Sequence, residues 1–173
     1  GELLCEEILD LVGNNFENTV FSYIPNTAEV AFLGMVKGME SILNKQRTAE
    51  IVAMGSNPDP ERIEKLLTLR PRVEKAVIKD AKMRTFITQD SDRDDLVSYV
   101  YDTTFGILKE NVDSLVIIDD SIVRRTTLKQ SILRVLDRLD PKQVIIVSSA
   151  PQIRFPDCYG INMSRMSEFI AFK

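Results

Sequence analysis

Apolar residues along the chain fall into two rhythms, one helical and one continuous, and their order predicts an α/β arrangement. Leu3, Leu4, Ile8, Leu11 and Val12 share one helical face, and Gly13-Asn14-Asn15 reads as its stop. Thr19 to Ile24 is rich in β-formers and predicts a strand. Pro25-Asn26-Thr27 predicts a turn able to cap the next element. From Ala28 to Leu43, Ala31, Met35, Met39 and Leu43 lie on one helical line, with Phe32 and Val36 beside it. Asn57-Pro58-Asp59-Pro60 breaks the chain, and Glu61 to Leu69 predicts a short helix opened by Pro60. Residues 44–75 thus read as a helical insertion in the core, and Val73 to Ile78 as a strand. Asp90 to Asp95 is polar and acidic and predicts a loop.

The second half is clearer. Leu115 to Ile118 is continuously apolar, as in a parallel strand buried on both faces. Leu128, Ile132, Val135, Leu136 and Leu139 recur at helical spacing, Asp140-Pro141 ends that run, and Val144 to Val147 is a second apolar strand. Strand, helix and strand over about 33 residues make a βαβ unit, so the fold class is α/β with a mainly parallel sheet flanked by helices.

The chain's 173 residues suit one domain, and 44% hydrophobic residues allow a real core. A net charge of -4 without a basic stripe argues against nucleic-acid binding. No apolar run reaches membrane-spanning length and no signal-peptide pattern is present, which predicts a cytoplasmic protein. The start at Gly1, directly in a helical pattern, suggests a domain cut from a longer protein. Histidine is absent, and the two cysteines, Cys5 and Cys158, form no Cys-x-x-Cys pair. Chemistry must therefore use carboxylates, hydroxyls, cations, backbone dipoles or an oxygen-held metal.

The candidate chemistry lies in VIIDDSIVRRTT, residues 116–127. Ligands of open parallel sheets bind beyond the carboxyl ends of strands, where Asp119 and Asp120 stand. The N–H groups opening the next helix attract phosphate. Thr126 and Thr127 add hydroxyls, and Arg124 and Arg125 add charge-assisted bonds. The aspartates suit hydroxyls or Mg²⁺, so a ribose 5-phosphate fits the whole string better than a loop whose aspartates merely cap.

That string resembles the phosphoribosyl diphosphate (PRPP) motif of type I phosphoribosyltransferases, and more narrowly V-D-D-S-I-V-R-G-T-T of the amidophosphoribosyltransferase family. Arg84-Thr85-Phe86-Ile87, Ser149-Ala150-Pro151-Gln152-Ile153-Arg154-Phe155-Pro156, Tyr159-Gly160-Ile161-Asn162-Met163 and Glu168-Phe169-Ile170-Ala171 are similar to further family segments, in family order. The resemblance implies a type I phosphoribosyltransferase-like fold that binds PRPP and Mg²⁺. It also implies transfer of the phosphoribosyl group to ammonia, giving 5-phosphoribosylamine and pyrophosphate at the entry to purine synthesis.

By the same resemblance Asp119, Asp120 and Arg84 are catalytic. Ser121, Val123, Arg124, Arg125, Thr126 and Thr127 hold phosphate. Thr27, Asp119 and Asp120 hold the metal, although a plain helix cap is the other reading of Thr27. Ammonia would come from a separate glutaminase domain, purine nucleotides would be inhibitors, and a homo-oligomer is compatible with the family.

Two departures matter. Arg125 replaces the motif's glycine, which lets backbone approach phosphate; it either pairs with phosphate or blocks the pocket. The family's flexible loop is basic, whereas the corresponding stretch here, 94–102, is acidic; Lys82 and Arg84 are its candidate cations. They keep open a non-catalytic module that senses PRPP or purine nucleotides. An α/β interaction domain without a ligand would leave the arginines and threonines of the string unexplained.

Overall fold

The computed structural model describes residues 1–79, 101–122, 132–156 and 169–172. A 3-10 turn at Glu2–Leu4 leads into α1, Cys5–Leu11. Strand β1, Thr19–Tyr23, is followed by the long helix α2, Glu29–Ala53, and by α3, Pro60–Thr68. Four strands come next: β2, Arg72–Val73; β3, Val77–Lys79; β4, Tyr101–Thr103; and β5, Ser114–Asp119. Helix α4, Leu133–Asp137, strand β6, Gln143–Ser148, and a 3-10 turn at Ile170–Phe172 complete the described elements.

Four strands form a parallel sheet in the order β2-β1-β5-β6. Its two central strands are covered on both faces, which is why they lack polar alternation. On one face Phe21, Val116 and Ile118 meet Ile8, Leu9, Phe32, Met35 and Met39 of α1 and α2. On the other Val20, Leu115 and Ile117 meet Leu136 and Leu139 at α4 and Ala76 and Val77 at β3. The period of two along a strand assigns each residue to one cluster or the other. The β5-α4-β6 unit is the predicted βαβ, with β5 and β6 paired in parallel from Ser114↔Gln143 to Asp119↔Ser148.

The expected helix ending at Leu43 in fact runs ten residues further, to Ala53. The buried stripe Phe32, Met35, Met39, Leu43 continues into Arg47, so a charged residue hides the apolar period. Arg47 is buried because its guanidinium donates to the carbonyl of Leu69, beyond the end of α3, and to Asn44 Oδ1. The 61–69 helix stands as expected: Asp59 Oδ1 accepts the N–H groups of Glu61 and Arg62, and Pro60 occupies the first turn.

The expected strand over 73–78 is two strands in different sheets. Arg72–Val73 extends the parallel sheet, whereas Val77–Lys79 pairs antiparallel with Tyr101–Thr103 in a separate two-stranded sheet. The change of direction is fixed between them, where Ser22 Oγ accepts the N–H of Ala76 at 3.0 Å and Ala76 O accepts the N–H of Thr104 at 3.2 Å. Tyr101 and Asp102 of the acidic stretch are therefore strand residues, and the remainder of that stretch lies outside the described residues.

Close contact of the N-terminal turn with α2 depends on Gly38. A Cβ there would come within 2.6 Å of Cys5 Sγ and 3.2 Å of Glu2 Cα. Cys5 itself is a buried free thiol donating to Met35 O at 3.2 Å, a core position as its sequence context predicts.

Candidate phosphoribosyl site at the strand ends

Asp119 closes the buried run of β5, and Asp120 follows it. Both carboxylates are half-buried at the carboxyl edge of the sheet. The backbone around them is laced to both neighbouring strands. Ile24 N–H donates to Ile118 O at 2.9 Å; Ser149 N–H donates to Asp119 O and Ala150 N–H to Asp120 O, each at 2.9 Å. Asp119 Oδ1 accepts the N–H of Asp120 at 2.8 Å, and Asp120 Oδ1 that of Ser121 at 2.7 Å. Each carboxylate is thus steered by the amide that follows it.

Burial pushes the Asp119 carboxyl up from 3.8 to about 6. The Asp120 N–H opposes this rise, while the adjacent Asp120 charge and a hydrogen bond between the two carboxyl groups add to it. In the ligand-free protein the raised value has a definite sign. Between pH 4 and 6 the native state holds a proton that the unfolded chain has released, so stability falls as pH rises through that window. Thermal midpoints should therefore decline from pH 4.5 to pH 7 in the contribution of this group. Asp119→Asn should flatten that decline; an unaltered profile would show that Asp119 does not titrate in this range.

Thr27 sits in the turn after β1, on the same edge. The expected capping by this turn does not occur. Ala28 is the N-cap of α2 and makes no side-chain cap bond, and Thr27 is exposed. The first turn of α2 is held to the strand end instead by Tyr23, whose hydroxyl donates to Glu29 Oε1 at 3.0 Å. Thr27, Asp119, Asp120 and Ser121 are brought to one edge. Arg84, Val123, Arg124, Arg125, Thr126 and Thr127 lie outside the described residues, as does Lys82.

The sequence did not single out Tyr101. It packs at the edge of the Leu115–Ile117–Leu136 cluster, on the face of β5 to which the alternation also assigns Asp119. Burial raises its phenol above the ordinary value, and the charges of Asp119 and Asp120 push the same way. Lys79, its register partner on β3, places Nζ 5.8 Å from the ring centroid. The signal was present in the β-forming run Tyr99-Val100-Tyr101, obscured by the aspartates before it.

The donor set is oxygen-rich, with no imidazole in the chain. Among the described residues no group of three or more His, Cys, Asp or Glu could cage a metal. Two adjacent carboxylates do suit Mg²⁺, which takes one or two carboxylates and completes its shell with substrate oxygens and water. A divalent cation would also relieve the repulsion from Asp120 that adds to the effect of burial on Asp119.

A parallel sheet with paired aspartates at the tip of its buried strand, flanked by helices, is a type I phosphoribosyltransferase-like fold. The chain is similar to amidophosphoribosyltransferases. It is 45% identical to the Escherichia coli protein over 58 residues, which cover 34% of this chain and 11% of that protein. It is 38% identical to the human one over 71 residues, covering 40% and 14%. No protein-family model matches the chain.

Among solved structures, one described as the allosteric regulatory enzyme of purine biosynthesis superposes with a TM-score of 0.57 and 23% identity, over 98% of this chain and 30% of that one. The glutamine PRPP amidotransferase of Bacillus subtilis, complexed with ADP and GMP, gives 0.53 and 23%, over 89% and 27%. The matches span about a tenth to a seventh of the length of these curated relatives. Over about a third of its length the chain is thus similar to amidophosphoribosyltransferases, and its fold is that of the solved structures above. Among the described residues, no helix is long and apolar enough to cross a membrane.

Proposed function

We propose that this chain binds PRPP with Mg²⁺ at the carboxyl edge of its sheet and transfers the phosphoribosyl group to ammonia, releasing pyrophosphate. The observation that carries this reading is the Asp119–Asp120 pair at the tip of a fully buried strand, within a string that resembles the PRPP motif. The carboxylates accept from ribose hydroxyls or hold the metal; Thr27 offers a further oxygen on the same edge. Amides after Asp120, with Ser121, Val123, Arg124, Arg125, Thr126 and Thr127, hold the 5-phosphate. Bound Mg²⁺ supplies charge neutralisation for the departing diphosphate.

Arg84 adds a cation to that diphosphate. Ammonia needs no activating base, which is consistent with a chain lacking histidine. Positive charge that grows on the ribose ring is stabilised by the neighbouring carboxylates. Glutamine hydrolysis, as the source of ammonia, belongs to a separate glutaminase domain, and purine nucleotides are the expected inhibitors.

The test is ligand-dependent stability together with turnover. PRPP and Mg²⁺ at about 100 times Kd should add about 2.7 kcal/mol. For a chain of this size that raises the thermal midpoint by roughly 5–10 °C. Ammonium at high pH should then release pyrophosphate from PRPP. A second reading, a nucleotide- or PRPP-sensing module without turnover, draws on Arg125 in place of the motif's glycine. It predicts the same stabilisation and no pyrophosphate. Absence of stabilisation by PRPP or nucleotide would sink both.

A further inference from the structure

We infer that Ser149 is a positioning residue of this site, turning the tip of β5 so that the Asp119 and Asp120 carboxylates are presented away from β6. The inference rests on the PRPP reading and adds to it a residue from the neighbouring strand's exit.

Carbonyls along a strand of a parallel sheet point alternately to its two neighbours. Ile118 O accepts the Ile24 N–H, on the β1 side, and Asp119 O accepts the Ser149 N–H, on the β6 side, each at 2.9 Å. The alternation would send Asp120 O back toward β1. It instead accepts the Ala150 N–H at 2.9 Å and the Ser149 hydroxyl at 3.2 Å. Two consecutive carbonyls thus face β6, and Ser149 donates to both, once through its backbone and once through its side chain. Ser148 Oγ, donating to Ala150 O at 3.0 Å, closes the turn that carries these donors.

The turned backbone directs the carboxylates. In a trans peptide the N–H points opposite to the C=O, so the N–H groups of Asp120 and Ser121 both face away from β6. Asp119 Oδ1 accepts the first at 2.8 Å and Asp120 Oδ1 the second at 2.7 Å. Both carboxylates are thereby drawn to the β1 side of the strand tip, the side on which the turn carrying Thr27 leaves the sheet. Ser149 itself is exposed, so its hydroxyl serves the backbone turn and not the core.

Ser149→Ala keeps both backbone donors and removes only the hydroxyl. Calorimetric titration with PRPP and Mg²⁺ should show affinity weakened about two- to fivefold, the size of one hydrogen bond. The ligand-free thermal midpoint should stay within about 2 °C of wild type. Ser149→Thr, which retains the hydroxyl, should recover most of the loss. In an Asp120→Asn background no carboxylate remains at that position to be aimed, and Ser149→Ala should lower affinity by less than about 1.5-fold. Wild-type affinity in Ser149→Ala, an equal loss in both backgrounds, or no recovery in Ser149→Thr would each leave Ser149 without a positioning role, and the inference then fails alone. If wild type itself does not bind PRPP, the site reading fails and takes the inference with it.

Discussion

Asp120→Asn is expected to weaken binding of PRPP with Mg²⁺ by about 10- to 100-fold, the range seen when a charged partner or metal-orienting group is removed. Asparagine is nearly isosteric, and its Oδ1 can still accept the Ser121 N–H that Asp120 Oδ1 now accepts at 2.7 Å. The loop geometry is therefore retained while one of two adjacent charges disappears. Asp119 also loses the like charge that helps hold its carboxyl up, so it remains ionised more readily but acts alone. Calorimetric titration with and without Mg²⁺ separates the two jobs left open for the pair. A loss confined to the Mg²⁺ titration assigns Asp120 to the metal; an equal loss without metal assigns it to the ribose hydroxyls. Unchanged affinity in both would remove Asp120 from the site.

Arg72→Met should cost about 2–4 kcal/mol of folding stability, toward the range for breaking a buried ion pair, because Asp113 is fully buried although Arg72 is partly exposed. Asp113, fully buried just before β5, accepts from Arg72 Nη1 and from the Lys109 N–H, each at 2.8 Å through Oδ2. Its Oδ1 has no partner among the described residues. Arg72 also donates to the carbonyls of Glu17 and Ile107, so one side chain ties β2 and the loops before β1 and β5 together. With methionine in its place the buried carboxylate keeps a single donor, the Lys109 N–H. Urea unfolding of Arg72→Met and of Arg72→Met/Asp113→Leu is the measurement. The double variant should be the more stable of the two, because the stranded charge has gone. A single variant within about 1 kcal/mol of wild type would mean that Asp113 is supported in some other way.

What the sequence discloses depends on how locally each feature is encoded. The runs at 115–118 and 144–147 are legible because a strand covered on both faces must be apolar at every position. The placement of Asp119 and Asp120 at a strand tip follows from that run. The true length of α2 is not legible, since Arg47 interrupts the apolar stripe and only the carbonyl at Leu69, 22 residues away, explains its burial. The break between Val73 and Val77 depends on Ser22, more than fifty residues earlier, and so leaves no local trace. Tyr101 joins the Leu115–Ile117–Leu136 cluster only because the β3–β4 pair packs there, which sequence distance conceals.

A central strand enclosed on both sides leaves little freedom for change along its length. Each residue from Leu115 to Ile118 is wedged into one cluster or the other. Divergence is thereby channelled into the connections that leave the strand tips, where a new side chain meets solvent or ligand and hardly disturbs the packed layers.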